Sequence, residues 1–207
     1  TAEDGVRVLG LRAARQAIES SGVAPSEIDQ IILCSFTFHD LYPGVHAWLA
    51  NELGTHGGAF ILTAACSGSL WGLTLARSLV SSGQCRNVLV IGVECMSRTL
   101  DYSDPLTAII FGDAAGAVVV GRKSDGEDTG FLGLSVLESE YSPDTIQMLN
   151  ANSPPNTVLA ATQEREQERY FVRMSGGPRV LRNAVNKMAE SVCQVLGYTL
   201  QDLKDDH

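Results

Sequence analysis

Apolar and polar positions follow two periods along this chain. Val6, Leu9, Ala13, Ala17 and Ile18 recur at helical spacing over residues 5–21, with Arg7, Arg12, Arg15 and Glu19 on other faces. That pattern predicts an amphipathic helix, stopped by Gly22. Gln30 to Ser35 is a short apolar run and predicts a buried strand. A helix follows over 44–53, ending at Gly54, and then a strand over 59–65. Residues 67–82 (Leu70, Leu73, Thr74, Ala76, Arg77, Val80) predict a helix closed by Gly83. Asn87 to Gly92 and Ala114 to Gly121 read as a third and fourth strand, and Leu132 to Leu137 as another. Residues 122–130 are a polar loop. Residues 138–168 have no period and read as an exposed excursion. The clearest helix is 178–196, with Pro178 in its first turn and Gly197 after its end. Val180, Leu181, Ala184, Val185, Met188, Val192 and Val195 form its apolar face. Buried strands alternating with helices predict an α/β fold with a largely parallel sheet covered on both faces.

Composition narrows the function. The chain has 207 residues, 44% of them hydrophobic, which is enough for a sizeable core. Its net charge of −9 argues against sequence-independent binding to nucleic acid or to an anionic membrane surface. There is no run of about 18 apolar residues, so no spanning helix is expected. The start, Thr1-Ala2-Glu3-Asp4, lacks the basic and apolar regions of a signal peptide. Cys34, Cys66, Cys85, Cys95 and Cys193 are odd in number and contain no C-x-x-C pair. A disulfide framework and a zinc site are therefore disfavoured, and a reducing cytoplasm is the default.

Cys66 falls where the strand over 59–65 turns into the helix over 67–82, within Ala64-Ala65-Cys66-Ser67-Gly68. Small neighbours permit a sharp turn that pushes one side chain outward. The helix start then aims unpaired N–H groups at the sulfur, which favours the thiolate. The Cys66 N–H is also placed to face a developing oxyanion. An activated nucleophile and an inert small core residue both fit this pattern.

The flanking sequence carries a resemblance. Phe60-Ile61-Leu62-Thr63-Ala64-Ala65-Cys66-Ser67-Gly68 resembles the active-site segment of the type III β-ketoacyl-acyl-carrier-protein synthases, in the thiolase-like superfamily. Asn87 to Glu94 is similar to the strand that follows the nucleophile helix there, and Ser97 to Asp101 to the next turn. Phe111-Gly112-Asp113-Ala114-Ala115-Gly116-Ala117 resembles the family's Phe-Gly-Asp-Gly-Ala-Gly-Ala, and Met174-Ser175-Gly176 its Met-Ala-Gly. The likeness runs over about residues 5–205.

The resemblance implies a thiolase-like layered αβαβα fold, present in part. Residues 1–121 would form most of the first half, with the nucleophile elbow, and 122–207 the start of the second. It implies acyl transfer to Cys66 and, in a complete enzyme, decarboxylative condensation with a malonyl thioester, in fatty acid or polyketide biosynthesis. Tyr42 would bound the partner protomer's acyl pocket in a homodimer; an ordinary buried aromatic is the alternative. Phe111, Met174 and Gly176 would line the acyl pocket, and Asp113 would fix a turn. No metal or organic cofactor is implied beyond thioesters of coenzyme A or acyl carrier protein.

Two departures matter. The family's later His, in Pro-His-Gln-Ala-Asn, and its Asn have no match, and His207 lacks that context, so the chain reads as a central piece. The Asp-Arg that relatives place before Phe-Gly-Asp to hold coenzyme A is replaced by Asp104-Pro105-Leu106, which favours a carrier-protein donor. Arg173, Arg179, Arg182 and Lys187 lie in a stretch, 171–187, that has no acidic residue. They form a candidate docking patch for an acidic carrier or an ordinary helix surface. Two rival functions stand beside condensation. One is acyl transfer to an oxygen or nitrogen acceptor; the other is a non-catalytic subunit or inactive fragment.

Overall fold

The computed structural model describes residues 5–122, 130–135, 145–146 and 171–198. They divide into two units: Thr1–Met96 with Gly112–Gly130, and Ser97–Phe111 with Phe131–His207. The expected division after residue 121 therefore differs from the observed one, because the segment before Phe111-Gly112-Asp113 groups with the second unit.

In the first unit, α1 (Val6–Ser21), β1 (Gln30–Cys34), α2 (Val45–Leu53), β2 (Gly58–Leu62), α3 (Gly68–Ser81), β3 (Asn87–Cys95) and β4 (Asp113–Gly121) follow in order. The glycines read as helix stops take left-handed φ values: 68° at Gly22, 69° at Gly54, 76° at Gly83. The strands form one sheet in the order β2-β1-β3-β4. β1 pairs parallel with β2, Leu33 opposite Ile61, and with β3, Leu33 opposite Ile91. The sheet is thus largely parallel, as expected, with β4 the exception: it runs antiparallel to β3, Val90 opposite Val118. A parallel return needs a crossover along the whole sheet. Residues 96–112 instead hold a short turn and the four-residue helix α4 (Pro105–Ala108), so β4 starts level with the end of β3.

Successive side chains of β1 point to opposite faces, and each face has its own helices. Ile31 and Leu33 pack with Leu89, Ile91 and Val93 under Ala14 and Ile18 of α1 and Val45, Leu49 and Leu53 of α2. Ile32 and Cys34 pack with Val88 and Val90 under Ala76 and Val80 of α3. Burying each such aliphatic chain is worth roughly 1.5–3 kcal/mol over leaving it exposed. β1 and β3 are thus covered on both faces, as their unbroken apolar runs required, whereas β4, read as buried, is mostly exposed, with only Val120 buried, because it is the edge strand.

Asp29 fastens the strand starts. Its carboxylate accepts from the Arg86 N–H at 2.5 Å and the Asn87 N–H at 3.1 Å. Its own N–H donates to the Asn87 carbonyl at 2.9 Å, and its carbonyl accepts from the Gly58 N–H at 3.1 Å. Those N–H donors hold its carboxyl below the usual 3.8. A lowered carboxyl stabilises the fold above the usual value, and the contribution is lost as pH falls through the folded one. Asp29→Asn is therefore expected to lower the melting temperature at pH 7, with the gap to wild type closing on acidification below pH 3.8, as read by circular dichroism.

In the second unit, α5 (Gly177–Leu196) matches the expected 178–196 helix. Its apolar face does not match the expected burial: Leu181, Val185, Met188, Val192 and Leu196 are exposed, and Cys193 is the residue that is buried. The strand expected over Leu132–Leu137 is absent from 131–135, and 136–137 lie outside the described residues. This segment runs beside α5 instead. The Ser135 hydroxyl donates to Gln194 Oε1 at 2.5 Å, and a methyl group on Gly133 would sit 3.0 Å from Val195. Leu132 and Leu134 are exposed, and among the described residues no strand pairs with this segment to order their alternation. Apart from Thr145 and Ile146, the excursion expected over 138–168 lies outside the described residues, as does His207.

Candidate active site

The loops after β1, β2 and β3 all leave the carboxyl ends of parallel strands. The β1-to-β2 crossover uses α2 on one face, and the β2-to-β3 crossover uses α3 on the other. In open α/β sheets ligands bind outside the strand carboxyl ends at such a reversal. Cys66 lies in the turn after β2.

The turn is sharp. Ala64 has φ −146° and ψ 34°, and Ala65 has φ 45°, in the left-handed region. One turn of 3₁₀ helix, Ala65–Ser67, then leads into α3. The Ala64 carbonyl accepts from the Ser67 hydroxyl at 2.8 Å and the Ser67 N–H at 3.2 Å. Cys66 is thereby held exposed, which corrects the reading of it as a buried core residue. Placing alanine in left-handed backbone costs roughly 1 kcal/mol. Ala65→Gly removes that strain and adds some unfolded-state entropy, for an expected net gain of about 0.5 kcal/mol in thermal unfolding.

Behind the turn α3 rides close to the sheet because its inner face is Gly68, Gly72, Ala76 and Val80. A methyl group on Gly72 would lie 2.5 Å from Cys34 Sγ and 3.0 Å from Val90. Gly92 of β3 makes matching room for Ser69, whose hydroxyl would lie 2.4 Å from a methyl group there.

The other thiols differ from Cys66. Cys34 is buried, and burial together with the Glu94 charge pushes it up to about 11. Cys85 is also pushed up, first by burial and then by Asp29. Cys95 and Cys193 are buried.

Tyr42 lies in the β1–α2 loop, before Pro43 in a cis peptide. It is 98% exposed, so the alternative of a buried aromatic does not hold. The stretch of the loop before Tyr42 is tied down at two places. Arg7 of α1 sits 2.8 Å from the Asp40 carboxylate and lies over the Trp48 ring at 5.3 Å. The Glu94 carboxylate accepts from the N–H groups of Phe36 and Thr37 at 3.0 and 3.1 Å. Burial pushes the Glu94 carboxyl up, against the pull of those donors and of the Thr37 and Ser35 hydroxyls. Sequence reasoning gave Glu94 no role. The available signal was a carboxylate ending the apolar run Val-Leu-Val-Ile-Gly-Val.

Phe111, Met174 and Gly176 belong to the second unit. The Gly176 N–H donates to the Thr145 carbonyl at 3.2 Å, and a methyl group on Gly176 would crowd Thr145 at 2.7 Å. Asp104 caps α4, accepting from the Leu106 N–H at 3.0 Å and the Thr107 hydroxyl at 2.9 Å. Asp113 opens β4. The basic stretch is partly countered by its surroundings. Arg179 donates to the Thr145 hydroxyl, and Lys187 pairs with Glu190 at 2.9 Å. Asp101 lies below the usual carboxylate range, first through Ser103 and then through Arg173. Arg182 is on α5 with Arg179 and Lys187, and Arg173 lies before that helix.

A cysteine at the β2–α3 elbow of a helix-covered sheet is the arrangement that the thiolase-like resemblance implies. Residues 60–139 match the family model described as 3-oxoacyl-[acyl-carrier-protein (ACP)] synthase III. The chain is 38% identical over 208 residues to a β-ketoacyl-[acyl-carrier-protein] synthase III of Streptomyces coelicolor, covering 98% of this chain and 61% of that protein. The crystal structure of the synthase III of Pseudomonas aeruginosa PAO1 superposes with a TM-score of 0.76 at 31% identity, covering 94% of this chain and 57% of that one. The priming β-ketosynthase of the R1128 polyketide pathway superposes at 0.73 with 30% identity, covering 98% of this chain and 59% of that one. In sequence and fold the chain is thus similar to the type III 3-oxoacyl-ACP synthases. The chain spans a little over half the length of the curated relatives it matches. Among the described residues no group of His, Cys, Asp and Glu is arranged to hold a metal, and no helix is long and apolar enough to cross a membrane.

Proposed function

We propose that this chain carries the acyl-accepting part of a type III synthase, with Cys66 as the nucleophile. The observation that carries the reading is the exposed Cys66 at a strained elbow within the segment that matches the family model. The Cys66 thiolate attacks a thioester carbonyl, and the tetrahedral intermediate collapses to acyl-Cys66 with loss of the carrier thiolate, which takes up a proton. In the complete architecture a malonyl thioester loses carbon dioxide. Its carbanion attacks the acyl-Cys66 carbonyl, a carbon–carbon bond forms, and Cys66 leaves as thiolate. The chemistry calls for no metal or organic cofactor.

The resemblance supplies the remaining roles. Phe111, Met174 and Gly176 line the acyl pocket, and Tyr42 closes the pocket of a second protomer in a homodimer. Its full exposure supports that role. Arg173, Arg179, Arg182 and Lys187 receive an acidic carrier protein. Asp104-Pro105-Leu106, where coenzyme A users carry Asp-Arg, favours the carrier protein over coenzyme A as donor. Five free thiols fit the reducing cytoplasm.

Incubation with an acyl thioester at neutral pH, followed by peptide mass mapping, tests the reading. Acylation confined to Cys66 is the expected result. Adducts spread over the five cysteines, or missing from Cys66, would overturn it. Carbon dioxide release from a malonyl donor, measured with the complete architecture, separates condensation from acyl transfer to an oxygen or nitrogen acceptor.

A further inference from the structure

Glu94 ends β3, and its carboxylate gathers the donors at the base of the β1–α2 loop. Oε1 accepts from the Phe36 N–H at 3.0 Å. Oε2 accepts from the Thr37 N–H at 3.1 Å, the Thr37 hydroxyl and the Ser35 hydroxyl at 3.4 Å. Thr37 Oγ1 in turn accepts from the Cys95 N–H at 2.9 Å. Ser35 also faces the other way. Its carbonyl accepts from the Thr63 hydroxyl at 3.1 Å, and its N–H donates to the Leu62 carbonyl at 3.3 Å. Thr63 opens the turn that holds Cys66. A continuous set of hydrogen bonds therefore runs from β3, across the end of β1, to the elbow.

A carboxylate is an unfavourable choice at a half-buried strand end unless it satisfies donors that no apolar residue could. Here two of the four donors are backbone N–H groups, whose partner must come from elsewhere in the fold. We propose that Glu94 is a positioning residue that fixes the Cys66 elbow through Ser35 and Thr63. The same carboxylate holds the base of the loop that presents Tyr42. The functional meaning of this link rests on the reading of Cys66 as the acyl acceptor.

Hydrogen exchange and thiol labelling of the wild-type chain, Glu94→Gln and Thr63→Val test the link. Glu94→Gln is expected to raise exchange in peptides covering 35–38 and also 63–68 by about ten-fold or more, with 87–92 unchanged. The alkylation rate of Cys66 relative to Cys85 is expected to fall by roughly five-fold in either variant. It should fall no further in the double variant, because both lie on one path. If 35–38 loosens while 63–68 and the Cys66 to Cys85 ratio keep their wild-type values, Glu94 serves the loop alone and the proposal is overturned. Should Glu94→Gln not fold, an unchanged ratio in Thr63→Val overturns it from the other side. Even labelling of all wild-type cysteines would sink the acyl-acceptor reading instead, and the exchange coupling between 35–38 and 63–68 would still decide the positioning claim.

Discussion

Gly72→Leu is expected to destabilise the first unit strongly. A first side-chain carbon at Gly72 already lies 2.5 Å from Cys34 Sγ and 3.0 Å from Val90 Cγ1. Neither neighbour can swing aside, for both are buried between β1, β3 and α3. Leucine adds three more carbons to that contact. Overpacking costs typically 1–3 kcal/mol where neighbours can adjust. Here α3 itself must lift, so a loss of about 3 kcal/mol or more is expected, or roughly 10 °C in melting temperature. Gly72→Ala separates two effects. Helix propensity alone would favour alanine by about 1 kcal/mol. A destabilised Gly72→Ala chain therefore assigns the effect to the clash. Adding Cys34→Ala removes the sulfur and should recover part of the loss, a coupling that a double-mutant cycle measures directly. A Gly72→Leu chain as stable as wild type would overturn this account of how α3 sits on the sheet.

Cys66→Ala is expected to take up no acyl group from a thioester, while Cys85→Ala behaves as wild type. Exposure and ionisation set the thiols apart. Cys34 and Cys85 are both held toward the neutral thiol, by burial first, and Cys95 and Cys193 are buried. The exposed sulfur is the one at the elbow. Because that side chain packs against little, its loss should change stability by less than about 0.5 kcal/mol. Loss of acylation with an unchanged melting temperature therefore isolates chemistry from folding. Mass mapping of the acylated chain and thermal unfolding of the same sample supply both numbers. Residual acylation of the alanine variant at the wild-type rate would move the nucleophile elsewhere.

The elements along the first unit were legible because burial on one or both faces leaves a period in the sequence. Ile31, Ile32 and Leu33 form an unbroken apolar run because each face of β1 has its own helix. Strand direction leaves no such mark. Val118, Val119 and Val120 read as a buried strand whichever way it runs, and only the short connection through α4 shows that β4 must turn back. The alternation in 131–135 misled because period 2 reports a pattern, while a strand also needs a neighbour to bond. Ser135 found Gln194 on a helix instead. At the site, Cys66 was legible because its neighbours in sequence make the turn. Glu94 was not, because the groups it holds lie 57 to 59 residues away. Two of its donors are peptide N–H groups, which any residue type would provide.

The anchoring of the β1–α2 loop changes the thermodynamics of whatever meets Tyr42. Immobilising a free loop on contact costs roughly 0.5–1.5 kcal/mol for each rotamer-rich side chain, in addition to the backbone entropy. Here the Glu94 carboxylate, at Phe36 and Thr37, and the Arg7–Asp40 pair take part of that cost during folding, in the stretch that leads up to the exposed ring. A surface that closes over Tyr42 thus meets a loop already anchored as far as Asp40, and more of the apolar area it covers counts toward affinity.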